Sequence, residues 1–412
     1  MTDITMKKTI LILLVGIFGF VSAQELVDVI SPFYSYSQDA FHQNGTFDYT
    51  YPLRTSALST GSPLSAAIGH ATVASGQMIP EYTVNPANLA LTKYSSIQAH
   101  GLFNNYNGVN ANSLGGINYL MSVPVYTGSM SFSAGITKVR DHNLYYQNDD
   151  IVQRAKGGLY NWHFGGAMEM QEDIYVGAEV SLLTGNKNND VDFLDPLSTV
   201  DGFIEDSKYF GVTAKVGLNY HVLPVLNIGI SMDLPSVVDV DYSIRNYYTN
   251  GSGSLNYDVT SPAVYRAGLA LTLRIVDLYY SYDYSNWQNL KFTSKEMLQT
   301  DIDEINRDIT NNFGVVGSHH IGMALHVPLL PLHFYFGYQY MPDVYQGLNA
   351  LSLGNLIPRE LTDRFSSSFS WGASFFLKQG ISITAAFETY HIFYDDELEK
   401  PKNVNLSLAY YF

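Results

Sequence analysis

Cysteine is absent from the 412 residues. That excludes a disulfide framework, thiol catalysis and cysteine-ligated metal. Basic residues are few: 22 Lys and Arg face 38 Asp and Glu, for a net charge of −16. A chain this short of cations has no surface with which to neutralise phosphates, so nucleic acid is excluded as a partner. Charge of either sign is scarce at 15%, against about 25% in a soluble domain. Long apolar runs are missing too, save one near the start. Yet the apolar share of 46% is too high for a disordered chain. What is present in excess is aromatic: 32 Tyr, 22 Phe and 3 Trp, together with 33 Gly.

The one apolar run spans Ile10 to Val21, behind Lys7 and Lys8. It falls short of the roughly 20 residues that a membrane helix needs. Val21-Ser22-Ala23 then supplies the small residues of a cleavage site before Gln24. Residues 1–23 read as a secretory signal peptide, against the alternative of a buried core helix. No cysteine follows the cleavage site to carry a lipid anchor. An exported, aromatic, half-apolar chain leaves two classes: a secreted β-rich protein, or a β-barrel in the outer membrane of a Gram-negative bacterium.

From about Ser95 onward the dominant period is two, the period of strands. In the last segment Val404, Leu406, Leu408, Tyr410 and Phe412 share one face. Asn405, Ser407, Ala409 and Tyr411 share the other. A transmembrane strand needs this pattern, apolar toward lipid and polar or small toward the lumen. The terminal Phe412 strand has the form of a signal for barrel-assembly machinery. The pattern predicts strands over 95–103, 113–123, 127–139, 156–170, 173–184, 207–221, 224–247, 253–273, 276–288, 314–328, 331–341, 365–378, 380–391 and 403–412. Most exceed the ~9–11 residues with which a tilted strand crosses a bilayer. These fourteen strands predict an all-β fold, a transmembrane antiparallel barrel. Tight connections after the even-numbered strands alternate with longer ones at 104–112, 140–155, 185–206, 289–313, 342–364 and 392–402. Short periplasmic turns and long outer loops are the barrel asymmetry; a sandwich or propeller gives no reason for it.

In 294–310, Met297, Leu298, Ile302, Ile305 and Ile309 recur at helical spacing. They predict an amphipathic helix in an outer loop, either packed on the rim or gating a ligand. Residues 24–60 are Tyr-, Ser- and Asn-rich with no clean period, and read as a periplasmic extension. Residues 61–94 are rich in small residues, too polar for lipid, and suit a plug, or hatch, inside the lumen of the 95–412 barrel.

The run AIGHATVASGQ followed by YTVNPANLAL resembles the N-terminal hatch of FadL-like outer-membrane proteins. Their Asn-Pro-Ala-Gly-Leu motif stands here as Asn85-Pro86-Ala87-Asn88-Leu89, with Asn88 in place of Gly. The segment SPAVYRAGLALTLRIVDLYYSYDYSNWQNLKF is similar to that family's middle hairpin. The resemblance covers roughly 61–412. It implies a fourteen-stranded barrel with an N-terminal plug, passively taking up hydrophobic small molecules such as long-chain fatty acids or hydrocarbons. In the family, outer loops catch the ligand and a hatch shift releases it. Residues Asn85, Pro86, Ala87 and Leu89 would shape the hatch-to-strand corner or meet the ligand. The short connection at 248–252 departs from the family's capture loop. Relatives with extended ends serve protein-export or surface-attachment machines. The resemblance therefore carries an alternative, a scaffold or shuttle subunit partnered by secretion-system proteins.

Inward-facing charges are expected at Glu169, Glu179, Lys215, Asp233, Arg266, Asp283 and Glu388. A cation facing lipid at mid-bilayer costs roughly 2–4 kcal/mol, which favours the lumen. There they would tie plug to wall, or Lys215 or Arg266 would bind a substrate carboxylate. Asp190, Asp192 and Asp195 in the acidic 185–206 stretch are weak candidates for Ca²⁺, or a solvated loop. His319 and His320 are adjacent and so point to opposite faces. No HExxH, P-loop, GxSxG or dinucleotide fingerprint occurs, so no enzyme and no cofactor are expected.

Overall fold

The computed structural model describes residues 62–412 apart from 75–80, 107–108, 124, 126–127, 143, 148–150, 194–202, 247–251, 343, 345–364, 378–379, 395–396 and 400–401. The signal peptide and the 24–60 extension lie outside the described residues, as does Asp195. One antiparallel sheet holds nineteen strand segments. The first seven are β1 Ser96–Tyr106, β2 Val109–Val123, β3 Met130–Asp141, β4 Leu144–Gln147, β5 Ile151–Gln171, β6 Ile174–Phe193 and β7 Phe203–Leu223. Then come β8 Leu226–Asp233, β9 Val237–Asn246, β10 Ser252–Thr260, β11 Val264–Thr272, β12 Val276–Asn286 and β13 Lys291–Thr293. The last six are β14 Val315–His326, β15 Leu332–Pro342, β16 Phe365–Leu377, β17 Ile381–Tyr394, β18 Glu397–Glu399 and β19 Lys402–Tyr411. The last stave pairs with the first, from Ser96 opposite Tyr411 to Asn105 opposite Lys402. The result is a closed fourteen-strand barrel with no free edge.

Alternation sorts the side chains. Trp162, Phe164, Phe210, Ile230, Ile321, Phe369, Trp371 and Leu408 all stand exposed on the outer face. An apolar surface that encircles the molecule calls for lipid rather than water. The opposite positions are polar or small and buried: Ser131, Ser133, Glu179, Ser181, Asn219, Ser281, Ser370 and Ser407. Among the described residues no helix is long and apolar enough to cross a membrane. Both described ends of the chain lie at the end of the barrel that carries the short turns, where Phe412 N donates to Ser95 O at 3.0 Å.

Three expectations need correction. The stretches 224–247 and 253–273 are not unbroken strands. They stop at Pro235 and Pro262, which lie opposite each other in the register that β8–β11 and β9–β10 share. Neither proline can donate to the ladder. The two ends stay tied through Ser236 and Ser261, whose hydroxyls meet at 2.8 Å. The next stave breaks at the same height, in a 3-10 turn at Trp287–Asn289. Second, 104–112 is no long loop, since β1 and β2 pair up to Tyr106 opposite Val109. Third, Asp190 and Asp192 sit on β6 rather than in a loop. The hairpin continues because Val191 and Phe203 bury their side chains on its inner face. Not every aromatic faces outward. Tyr279, Tyr335 and Tyr390 are buried, and the hydroxyls of Tyr279 and Tyr390 bond inward carboxylates.

Two helices complete the fold. Helix α1, Pro63–Ala67, is capped by the Ser62 side chain. Helix α2, Gln299–Asn312, begins later than its sequence pattern predicts. Its Ile302, Ile305 and Ile309 pack with Val238, Val240, Tyr257, Val259, Phe292 and Trp287. Leu159, Leu183 and Tyr209, from the inner face of β5–β7, join the same core. Helix α2 therefore folds over the inner face at the long-connection end, above the three broken staves.

Candidate functional site

Residues 62–74 and 81–92 cross the lumen as a plug, and their local chemistry explains their shape. Asn85 caps a 3-10 turn over Pro86–Leu91, accepting from Ala87 N at 3.1 Å. Pro86 fits the first turn position, where no backbone donor is needed. The Asn85 amide donates to Val73 O at 2.8 Å and to Leu218 O of the wall at 3.1 Å. Asn88 is fully buried. Its amide donates to Thr72 O at 3.0 Å and to Glu81 O at 2.8 Å. Its Oδ1 accepts from Asn219 of β7 at 2.8 Å. Glycine at this position could make none of these bonds. Ala87 and Leu89 of the motif are buried with Tyr82, Leu120 and Tyr175.

The wall admits the plug because it is bare at one height. A Cβ on Gly177 would lie 2.5 Å from the Pro86 carbonyl carbon, and one on Gly322 would lie 2.6 Å from Ile68 O. A Cβ at Gly217 would overlap Asn85, at Gly229 Val73, and at Gly337 Gly69. These glycines pair across the sheet, Gly177 with Gly217 and Gly322 with Gly337. They form a belt on which plug backbone rests directly. Small buried plug residues, Ala66, Ala67, Ala71 and Ala74, match it with Ala270, Ala324 and Ala386. The shared height of these glycines emerges from the register.

Charges complete the clamp. Lys215 donates to the plug carbonyl of Thr83 and lies 3.9 Å from Glu179 and 4.0 Å from Asp233. Arg266 bonds Asp233 at 2.8 Å and Asp283 at 3.1 Å. Thus five of the seven candidate charges form one ladder across β6, β7, β8, β11 and β12. It holds three carboxylates and two cations, so both cations already have anionic partners. Glu388 sits apart from this ladder and takes His70 of the plug at 3.0 Å, the Tyr390 hydroxyl at 3.0 Å and the Asn405 amide at 3.1 Å. Glu169 is remote from both, at a short turn, where it accepts from Asp173 N at 3.3 Å.

His70 and Gly69 both have φ of 62°, in the left-handed region. A side chain there is uncommon and is held by neighbours on every side. Gly69 N donates to Ser370 at 3.1 Å, and His320 Nδ1 donates to Gly69 O at 3.0 Å. His70 Nδ1 meets the Ser65 hydroxyl at 3.2 Å. Burial of the ring opposes its charge. The hydrogen bond and charge of Glu388 outweigh that, helped by Glu81 and Asp283, and hold His70 above the ordinary imidazole pKa. The Ser65–His70–Glu388 line has the order of a hydrolytic triad, but Ser65 is buried and lines no described cavity. His319 faces outward, against Tyr280 at 2.9 Å.

Below the plug, at the short-turn end, lies a chamber of about 590 Å³. Plug residues Leu64, Tyr82 and Leu91 face Leu120 and Phe376 of the wall across it. Asp190 pairs loosely with Arg154 at 3.6 Å. Among the described residues no three acidic or histidine side chains are grouped to hold a metal.

No protein-family model matches the sequence, and no curated protein sequence matches it. Solved structures do share the fold. The toluene transporter TbuX of Ralstonia pickettii superposes with a TM-score of 0.58 at 15% identity, covering 86% of this chain and 99% of that one. A FadL homologue of Pseudomonas aeruginosa gives 0.57 at 11% identity, over 87% and 99%. The toluene transporter TodX of Pseudomonas putida gives 0.56 at 12%, over 86% and 98%. At such identities the likeness is one of architecture: the fold is that of the FadL-like barrels.

Proposed function

We propose that this chain is an outer-membrane channel for passive uptake of hydrophobic small molecules, such as long-chain fatty acids or hydrocarbons, gated by its N-terminal hatch. The observation that carries the reading is the plug docked on the glycine belt of a fourteen-strand barrel. A lumen this wide would pass water and ions if it were open. The neighbours in fold, TbuX and TodX, are toluene transporters, which supports a hydrophobic cargo. The short-turn end is then periplasmic, the long connections face outward, and outer-membrane lipid surrounds the belt of exposed aromatics. Residues 1–23 act as the export signal, 24–60 as a periplasmic extension and 61–94 as the hatch. The Phe412 strand is the element presented to barrel-assembly machinery.

A greasy solute crosses a phospholipid bilayer unaided but is held back by the polar lipopolysaccharide leaflet. The test therefore uses intact Gram-negative cells lacking their own uptake barrel. Cells expressing this chain should accumulate a labelled long-chain fatty acid or toluene several times faster than cells without it. Equal rates, with the barrel folded in the outer membrane, would count against transport. Such a result would favour the scaffold or secretion-system reading if large proteins also co-purify at the loops.

In this reading the ladder of Glu179, Lys215, Asp233, Arg266 and Asp283 secures the hatch, and Glu388 secures it through His70. Each hatch-to-wall hydrogen bond contributes about 0.5–1.5 kcal/mol. A local shift around Thr83, whose carbonyl accepts from Lys215 of the wall, costs less than release of the whole plug.

A further inference from the structure

Three of the short turns depart from ordinary turn chemistry. Turns are dominated by Gly, Pro, Asn, Asp and Ser. Here the β7–β8 turn is Leu223-Pro224-Val225, the β11–β12 turn is Leu273-Arg274-Ile275, and the β14–β15 turn is Pro328-Leu329-Leu330-Pro331, all of them exposed. The prolines fit the rule; the leucines, valine and isoleucine do not. The three turns are consecutive around the barrel. Thr272 N donates to Val225 O at 2.8 Å and His326 N to Ile275 O at 2.9 Å, which joins them into one apolar rim. Leu329 is fully exposed and has φ of 68°, in the left-handed region that glycine takes freely and a side chain rarely does. In water, glycine would make this turn with neither the strain nor the exposed leucine. The neighbouring β5–β6 turn is Glu172-Asp173, also exposed.

What covers this rim follows from height and charge. The rim continues the outward apolar face without a break: Leu218, Tyr220 and Val222 lead down β7 into the first turn, and Leu269 leads down β11 to Leu273 in the second. The far edge of that face carries Tyr265, paired with Tyr284, and His319, paired with Tyr282 and Tyr340, the aromatic girdle of an interface. A strand tilted by about 40° climbs about 2.5 Å per residue. From this girdle to the turns, Tyr265 to Leu273 or His319 to Leu329, the climb is therefore about 20–25 Å. The apolar band of a membrane barrel is about 25 Å tall, so on this arc the band ends at the turns themselves. Arg274 alone interrupts the apolar rim; it is exposed and, among the described residues, in no ion pair.

We propose that these three turns are immersed in the phospholipid leaflet, at the boundary of headgroups and acyl chains, with Leu223, Ile275 and Leu329 toward the chains and Arg274 reaching a phosphate. An arginine lays its apolar stem along such a boundary and carries its charge to the headgroup. Because Glu172 and Asp173 beside them stay in water, the barrel is seated deeper on the β7–β15 arc than on the β5–β6 side. The inference rests on residence in the membrane and is independent of what the barrel carries.

The chain has no cysteine, so Val225→Cys, Ile275→Cys and Leu329→Cys can each carry a single nitrobenzoxadiazole fluorophore. Glu172→Cys is the aqueous control and Leu269→Cys the control within the apolar face. The full-length proteins are folded into vesicles of phosphatidylethanolamine and phosphatidylglycerol, with and without a phospholipid bearing a nitroxide near its headgroup. The three turn probes should emit to the blue of Glu172→Cys and be quenched by the nitroxide lipid. Iodide in the buffer should quench Glu172→Cys and spare them. Arg274→Glu, added to Leu329→Cys, should shift its emission to the red and open it to iodide; Arg274→Lys should not. Three probe sites keep the test decisive if one variant fails to fold. Turn probes as red and as open to iodide as Glu172→Cys, with Leu269→Cys quenched by lipid, would overturn the proposal. So would turns shielded from a thiol reagent in cells but not in these vesicles, which would assign the rim to a protein partner. Iodide access at Leu269→Cys as well would sink residence in the membrane itself.

Discussion

Asn219 of the wall donates a 2.8 Å hydrogen bond to Asn88 of the hatch, and the Asn88 amide in turn joins the two arms of the hatch at Thr72 and Glu81. One side chain thus closes the plug on itself and fixes it to β7. Asn88→Ala would leave the Thr72 and Glu81 carbonyls without these partners in a buried site, at a cost of about 1–3 kcal/mol. Hydrogen exchange at residues 62–74 and 81–92 should speed up while the barrel strands keep their protection. Unchanged exchange in the hatch would show that Asn88 is not its fastener.

The glycine belt predicts a steric effect with an internal control. Gly217→Ala drives a methyl group into Asn85 and should cost about 1–3 kcal/mol, as overpacking does. The displaced hatch should leak, read as ion conductance in planar bilayers. Gly253→Ala, where a Cβ meets nothing closer than 3.6 Å, should behave as wild type. Silence at both positions would remove the belt from the account.

His70 gives the hatch a pH dependence whose sign is fixed. Docking raises its pKa, so the docked state holds the proton more tightly than the released one. The stabilisation is complete below the ordinary value near 6.5 and is lost as pH rises through the raised value. Intrinsically corrected exchange of the hatch amides should therefore increase from pH 6 into the alkaline range. Glu388→Gln should flatten that rise.

The outward face makes a prediction about folding alone. Leu269→Arg places a cation on the exposed apolar face of β11 and should cost roughly 2–4 kcal/mol if that point is near mid-bilayer. Urea-dependent folding into lipid vesicles measures it. A cost near zero would place Leu269 at the interface or outside the membrane.

Much of this fold is legible along the chain because a barrel writes its architecture locally. The alternation of Val404, Leu406 and Leu408 with Asn405 and Ser407 needs no partner strand to be read. The 3-4 spacing of Ile302, Ile305 and Ile309 likewise announces a helix. Its destination is not local: the inner face that receives it is shaped by three staves breaking together at Pro235, Pro262 and Trp287. The charges of the ladder are legible as inward by parity. Their grouping is not, because Glu169 has the same parity as Glu179 but lies at another height. The hatch motif is readable through its resemblance, yet Asn88 looks like a departure until its three bonds are seen. The belt is hidden for the same reason. Gly177, Gly217, Gly322 and Gly337 are far apart in sequence and become one feature only through register.

The central claim, that the hatch gates uptake, is tested most directly by locking it. The chain has no native cysteine, so Asn88→Cys with Asn219→Cys introduces one reactive pair where the two side chains already meet. Uptake of a labelled long-chain fatty acid should be measured in cells expressing the double variant, oxidised and then reduced. The account predicts that oxidation stops uptake and reduction restores it, while each single variant is insensitive to both. Undiminished uptake through a fully cross-linked hatch would contradict it.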